Sequence, residues 1–322
     1  MLLFKLTAIG LLVFPAMGGH DHLHIQSPNH TPISVDRHYL EVPLLDEPLM
    51  NEKYYEDVVS HVQKMVYTPP RNAYINEHNR IVPEEAGYKL HERKFRGLIE
   101  GFLLSKGSGV IEPPLLTLYP KVDSEILSHI RTQKIGQYVT FFNKHNEERT
   151  QNITLATKKI NNTVVFPGEV FSFNGVVGKR TKEKGYKKAP VIVRGELSED
   201  IGGGICQVSS TLYNAVDQAG VTILERYHHS KRVPYVPEGR DATVSWYGPD
   251  FTFKNAYNQP LLIRAKIAGG QVIITVHSSD LINVKKRKVP SASRELPQEK
   301  QVDHSNTKLK ASALADAFNL IN

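Results

Sequence analysis

The sequence predicts an α+β protein of two domains. A small helix-hairpin-helix-strand unit comes first, followed by a larger mixed α+β domain with a central helix behind a glycine loop and a C-terminal antiparallel meander. Three observations predict this. Tyr55, Val58, Val59, Val62, Met65 and Val66 form a stripe at helical spacing that Pro69-Pro70 stops. The run 202–215, GGGICQVSSTLYNA, puts Val208, Leu212, Ala215, Val216 and Ala219 on one face of a helix over 207–219, closed by Gly220. Segments 251–254, 260–267 and 271–278 read as strands, the last two joined at Gly269-Gly270.

Taken in order, the chain opens with Lys5 ahead of the apolar run 6–13 and small residues at Ala16-Met17-Gly18, which predicts a signal peptide over 1–18 and export. That run is shorter than the roughly 20 residues a membrane-spanning helix needs. Residues 19–50, rich in His, Pro and Asn, are expected as an extended tether. His20, His22 and His24 alternate along it, but no carboxylate or cysteine spacing completes a metal site. The first domain spans 51–122. After its first helix come short strands at 73–75 and 80–82 around the turn Asn76-Glu77-His78-Asn79. A second helix carries Phe95, Leu98, Ile99, Phe102 and Leu103, and a strand follows at 113–119.

Asp123 is suited to cap a linker helix within 123–136. The second domain, 137–280, opens with a strand at 138–142 and a helix at 150–160 that ends at Asn161-Asn162, a pair tolerant of left-handed geometry. Strands at 164–166 and 170–173 flank the turn Pro167-Gly168. A basic loop over 179–188 includes Lys179, Arg180 and Lys182, and a strand at 189–194 leads to the glycine run. Beyond the central helix an extended segment, 221–227, delivers His228 and His229, and Asp241 heads a strand at 242–247. Residues 281–322, with Lys285-Lys286-Arg287-Lys288 and a weakly amphipathic stretch through Leu309, Leu314, Ala315 and Phe318, are expected as a flexible basic tail.

The 322 residues carry 40 Lys and Arg against 33 Asp and Glu, a formal charge of +7. On an exported chain that excess suits peptidoglycan or an anionic wall polymer as partner, or serves solubility. No nucleic-acid module and no nucleotide or cofactor motif occurs, and membrane contact is expected only through the signal segment or transiently. Cys206 is the only cysteine, so an internal disulfide is excluded.

At the start of a helix, Cys206 meets unpaired N–H groups and the positive end of the dipole, which favour a thiolate. A cysteine there, then a histidine beside a strand, then an acid at the head of the next strand is the order that cysteine peptidases and transglutaminase-like enzymes use. His228 or His229 would be the base and Asp241 its orienting carboxylate. The turn Gly202-Gly203-Gly204 with the N–H of Gln207 would receive an oxyanion, and Ser209 and Arg180 are further binding candidates. Each has a structural counterpart: a buried inert thiol, histidines and an acid closing a turn, serines satisfying helix-end groups. A metal held by Cys206, His228 and His229 is disfavoured, because adjacent histidines rarely reach one tetrahedral ion.

The motifs Asn152-Ile153-Thr154-Leu155-Ala156, Pro167-Gly168-Glu169-Val170-Phe171-Ser172-Phe173-Asn174, the cysteine run from Gly202 to Asn214, His228-His229-Ser230 and Gly239-Arg240-Asp241-Ala242-Thr243-Val244 together resemble the VanW family over 137–277. That resemblance implies an association with the wall and no settled reaction. Pro69-Pro70-Arg71-Asn72-Ala73, then Asn79-Arg80-Ile81-Val82-Pro83-Glu84 and Gly87, resemble a peptidoglycan-binding domain that precedes catalytic or wall-associated modules in exported bacterial proteins. Two functions follow as expectations: thiol acyl transfer on peptidoglycan, as hydrolase or transpeptidase, and non-enzymatic binding of peptidoglycan or an anionic wall polymer. Both put the protein in the secreted or wall-associated fraction.

Overall fold

The computed structural model describes residues 21–28, 30–42, 49–193 and 196–296. The expected signal segment and the 309–318 stretch lie outside them. The chain is mixed α+β and divides into two compact units, residues 1–72 with 84–121, and 73–83 with 122–322. Seven helices occur among the described residues, and none is long and apolar enough to cross a membrane.

In the first unit helices Glu52–Val66 and Glu92–Leu104 follow the expected stripes, burying Tyr55, Val58, Val62 and Val66 on one and Phe95, Ile99, Phe102 and Leu103 on the other. Residues 21–42 are not a free tether. Strand His22–Ile25 pairs antiparallel with Ile33–Asp36 and parallel with Gly109–Ile111, and Leu23 and Ile25 are fully buried in the helices' core. The alternation that drew attention to His22 and His24 has its cause there. Leu23 and Ile25 take the core side, and the two imidazoles stack on the outer side with centroids 6.3 Å apart. Strand Gly87–Leu90 pairs with Leu115–Leu118.

The hairpin of Tyr74–Ile75 and Ile81–Val82 forms as expected but belongs to the second unit. There Ala73 and Ile75 pack with Val122, Leu127, Ile130 and Leu262. Asp123 accepts a hydrogen bond from the Ile126 N–H (2.7 Å) and caps helix Ser124–Ile130, which lies in this second unit's core rather than in a linker.

The second unit is built on an antiparallel sheet ordered Gln133–Phe141, Gln271–Ser278, Leu261–Ala268, Thr163–Val165. The central helix, Ile205–Gln218, lies across it with Val208, Leu212, Ala215 and Val216 fully buried, and helix Glu147–Ile160 packs beside it. Asn162 adopts φ 65° at the end of that flanking helix, as its type suggests. Two strand expectations change. Thr163–Val165 and Val170–Ser172 do not pair across their turn, and Thr252–Lys254 does not continue a meander. Instead Val170–Ser172, Thr252–Lys254 and Thr222–Glu225 form a separate sheet, where Phe171 stacks on Phe253 at 4.8 Å. The segment 242–247 is loop, with a single bridge from Thr243 to Tyr227. Strands Lys188–Val193 and Glu196–Ile201 make a two-stranded hairpin ahead of the glycine turn.

Residues 281–296 are irregular but packed. Ile282 is buried, Val284, Val289 and Ala292 lie on the core, and Tyr138 donates its hydroxyl to the Pro290 carbonyl (2.8 Å). Of the basic run, Arg287 holds Asp217 (2.7 Å).

Helix and sheet meet most closely at Gly136. A Cβ there would stand 2.2 Å from the Ala215 carbonyl oxygen and 3.1 Å from the Ala219 Cβ, beside a register shift in the strand. Gly136→Ala is expected to destabilise the second unit by about 1–3 kcal/mol through overpacking. Urea unfolding monitored by the near-UV signal reads this as a lower midpoint at unchanged slope, and an unchanged midpoint would mean the strand moves aside freely.

Candidate active site

Three elements assemble around the start of the central helix. Gly202 and Gly204 take φ of 95° and 102°, the left-handed region that glycine alone enters without strain, and they turn the chain from the preceding hairpin into the helix. A side chain at Gly204 would strike Ile153 (2.9 Å) and Arg149 (3.0 Å), so glycine is also needed for space. Cys206 lies in the helix's first turn, half-buried, with Sγ 3.5 Å from the Val244 carbonyl oxygen.

The second element is 226–229. His229 is nearly buried; its Nδ1 bonds Asp241 Oδ2 at 2.6 Å, and its backbone N–H donates to the same oxygen at 2.7 Å. With Nδ1 so engaged, Nε2 is left for the Cys206 thiol, and ring and thiol lie close enough to shift each other's titration. His228 turns away and is half exposed; its Nδ1 meets Asp241 Oδ1 at 2.8 Å and its Nε2 meets an Arg226 nitrogen at 2.9 Å. Arg226 can only donate, so Nε2 accepts and Nδ1 carries the hydrogen given to Asp241. Of the two histidines, His229 is the one that links thiol and carboxylate.

The third element, 240–244, is stitched to the central helix. Ser209 donates to the Ala242 carbonyl (2.5 Å), and Ser210 accepts from the Ala242 N–H (2.9 Å). Asn214 donates to the Arg240 carbonyl (2.8 Å), and Asp217 binds the Arg240 guanidinium (2.6 Å). These four side chains follow Cys206 at i+3, i+4, i+8 and i+11, one face of the helix.

Charge follows from these contacts. Burial pushes the Cys206 thiol up, but the hydrogen bond and charge of His229, a Val244 backbone bond and the Arg180 guanidinium outweigh it, so the thiol titrates below its ordinary value. Desolvation alone would lower His229; its bonds to Asp241 and Cys206 prevail and raise it to about 9. Burial likewise works against the Asp241 carboxylate, and the His229 ring and backbone bonds, with His228, hold it far below the usual carboxylate range. The favoured state is a thiolate-imidazolium pair beside an ionised aspartate.

Of the residues singled out in the sequence, Cys206, His229, Asp241 and His228 come together. Gln207 does not face a ligand. Its N–H goes to the Gly204 carbonyl (3.0 Å), and its fully buried amide bridges Thr140, Phe141 and Arg149. Ser209 is spent on backbone carbonyls. Gly203 is buried, and its carbonyl accepts from Asn152 (3.0 Å). Gly202 lies against the Arg180 side chain, with a Cβ position 3.5 Å from Arg180 Cβ and Cγ. Arg226 and Tyr235 carried no individual signal in the sequence, and Val244 only as the last residue of the 239–244 motif. Among the described residues no group of three or more His, Cys, Asp and Glu is arranged to hold a metal.

Fold and site thus define an α+β protein whose one thiol is paired electrostatically with a histidine-aspartate couple. The family model "VanW like protein" matches residues 148–277, which contain all three groups, and the chain belongs to the VanW-like family. Its relatives include the uncharacterized protein YoaR of Bacillus subtilis, 51% identical over 299 residues that cover 93% of this chain and 98% of YoaR. The vancomycin B-type resistance protein VanW of Enterococcus faecalis is 33% identical over 118 residues, 34% of this chain and 42% of that protein. No solved structure matches.

The ion pair predicts a pH profile. Alkylation of Cys206 by iodoacetamide should rise with a midpoint below the roughly 8.5 of a free cysteine. In His229→Ala the midpoint moves to that value or above, because burial then acts with its main opponent removed. Superimposable profiles would show that the imidazole leaves the thiol unperturbed.

Proposed function

We propose that the protein is an extracytoplasmic, cysteine-dependent acyltransferase acting on amide bonds of peptidoglycan peptides. The observation that carries this reading is the His229–Asp241 pair, hydrogen-bonded at 2.6 Å and acting on the Cys206 thiol at a helix start. The resistance role in the name of the Enterococcus relative supports a cell-wall setting. The expected export segment and the peptidoglycan-binding resemblance within 69–87, a stretch divided between the two units, agree with it, giving that stretch the task of holding the protein on its polymer.

In this mechanism the Cys206 thiolate attacks the amide carbonyl carbon, forming a C–S bond and an oxyanion. Because the Ile205 and Gln207 N–H groups are engaged by Gly202 and Gly204 carbonyls, the oxyanion takes the Cys206 N–H from this turn. The His229 imidazolium gives its Nε2 proton to the departing amine as the C–N bond breaks, leaving a thioester. Neutral His229 then takes a proton from the acceptor, water for hydrolysis or an amine for transpeptidation, as the acceptor's oxygen or nitrogen bonds the thioester carbon; the C–S bond breaks, the product leaves, and the thiolate-imidazolium pair is restored. Asp241 keeps the ring oriented throughout and stabilises its charged form.

Incubation with purified peptidoglycan fragments should give new products and a covalent adduct on Cys206 detectable by mass spectrometry. Cys206→Ser is expected to abolish both and His229→Ala to lower turnover by about 10²–10⁴-fold. His228→Ala, which leaves the His229-Asp241 bond in place, should cost about tenfold or less. If neither product nor adduct forms while Cys206→Ser binds peptidoglycan as the parent does, the protein is a wall-binding module.

A further inference from the structure

The hydrogen bonds around the thiol account for every charge except one. Arg180 is part-buried in the loop after Val177, its stem against Gly202 at the head of the turn into Cys206 and its guanidinium 5.8 Å from the centre of the Phe173 ring. Both terminal nitrogens are buried without a hydrogen-bond partner among the described residues. The same is true of the Tyr186 hydroxyl, on a side chain only 2% exposed. Arg180 interacts electrostatically with the Cys206 sulfur, the Tyr186 hydroxyl and the Asp250 carboxylate, whose own oxygens accept from Ser172, Asn174 and Phe251, so the unspent donors lie within the field of the thiol. Other guanidinium groups near the central helix are hydrogen-bonded: Arg240 and Arg287 to Asp217, Arg226 to carbonyls and His228, Arg149 to Gln207.

A buried guanidinium with its fork of donors free is costly unless an anion completes it, and its planar geometry matches a carboxylate. We propose that Arg180, with the Tyr186 hydroxyl as a further donor, is a carboxylate subsite beside Cys206, which selects peptides carrying a free carboxylate next to the amide to be cleaved. This rests on the acyl-transfer reading of the same thiol. It narrows the substrate from any wall amide to one flanked by a peptide carboxylate, such as a free chain terminus. The sulfur does not complete the fork, since neither terminal nitrogen of Arg180 has a hydrogen-bond partner among the described residues.

Two alkylating agents of nearly equal size test this without requiring a natural substrate. Iodoacetate carries a carboxylate next to its reactive carbon; iodoacetamide is its neutral counterpart. Taking the ratio of their rates on Cys206 cancels any change in thiolate population. The parent protein should favour iodoacetate, with saturation as its concentration rises, and Arg180→Gln should lower the ratio by about tenfold or more. Arg180→Lys, which keeps the charge but loses the fork, should fall between. Acetate should protect the parent from iodoacetamide, and acetamide should not. A ratio unchanged in a folded Arg180→Gln protein, with both reagents reacting, overturns the carboxylate subsite and leaves the acyl-transfer reading standing. A Cys206 inert to both reagents removes both proposals.

Discussion

The site depends on a helix buried on nearly every side that still carries polar residues. Ser209, Ser210, Asn214 and Asp217 have almost no access to solvent, so each must find a partner inside the protein. All four find it in residues 240–242. The need to satisfy these groups therefore fixes a loop without regular structure to within hydrogen-bonding tolerance of the helix. Asp241 stands in the middle of that stitched segment and inherits its position. Removing one of these helix side chains would leave a backbone group of the loop unpaired as well as losing a contact, which makes the face a positioning device for a carboxylate it never touches.

A half-buried cysteine beside an apolar helix face would ordinarily be inert. Here desolvation does oppose ionisation of the thiol, and it loses to a specific arrangement: an imidazole whose other nitrogen is tied to an ionised carboxylate. Each member needs the next. His229 is charged because of Asp241 and Cys206, and Asp241 stays ionised despite burial because His229 gives it two hydrogen bonds. Arg180 adds a further positive charge on the sulfur's side.

The helices were legible because their stripes recur at 3.6 residues and their caps are local; Asp123, Asn162 and the glycine run acted as their residue types suggest. The strands were legible as strands and poorly as partners. Val170–Ser172 and Thr252–Lys254 alternate as half-buried strands should, but nothing local says that they pair with each other across nearly eighty residues. The order cysteine, histidine, acid was readable, and the choice between His228 and His229 was not, because it turns on which ring folds back toward the helix. Ser209 was readable as a binding candidate and no more. Its role follows from a spacing of i+3, i+4, i+8 and i+11 that marks a helix face and reveals no partner. The segments expected to be loose, 21–42 and 281–296, were misjudged for one reason: short runs such as Leu23-His24-Ile25, or single residues such as Ile282 and Arg287, carry too little pattern to register yet bury completely or pair once a scaffold exists.

The hairpin of Tyr74–Ile75 and Ile81–Val82 has a consequence for how such proteins are inherited. It lies in sequence between segments of the first unit, while Ala73 and Ile75 fill the second unit's cluster around Leu127 and Leu262. The two units are interleaved along the chain, so no single crossover point separates them. Recombination that moved residues 122–296 alone would strand that cluster without two of its members. Exchange of the second unit intact has to carry 73–83 along with 122–296.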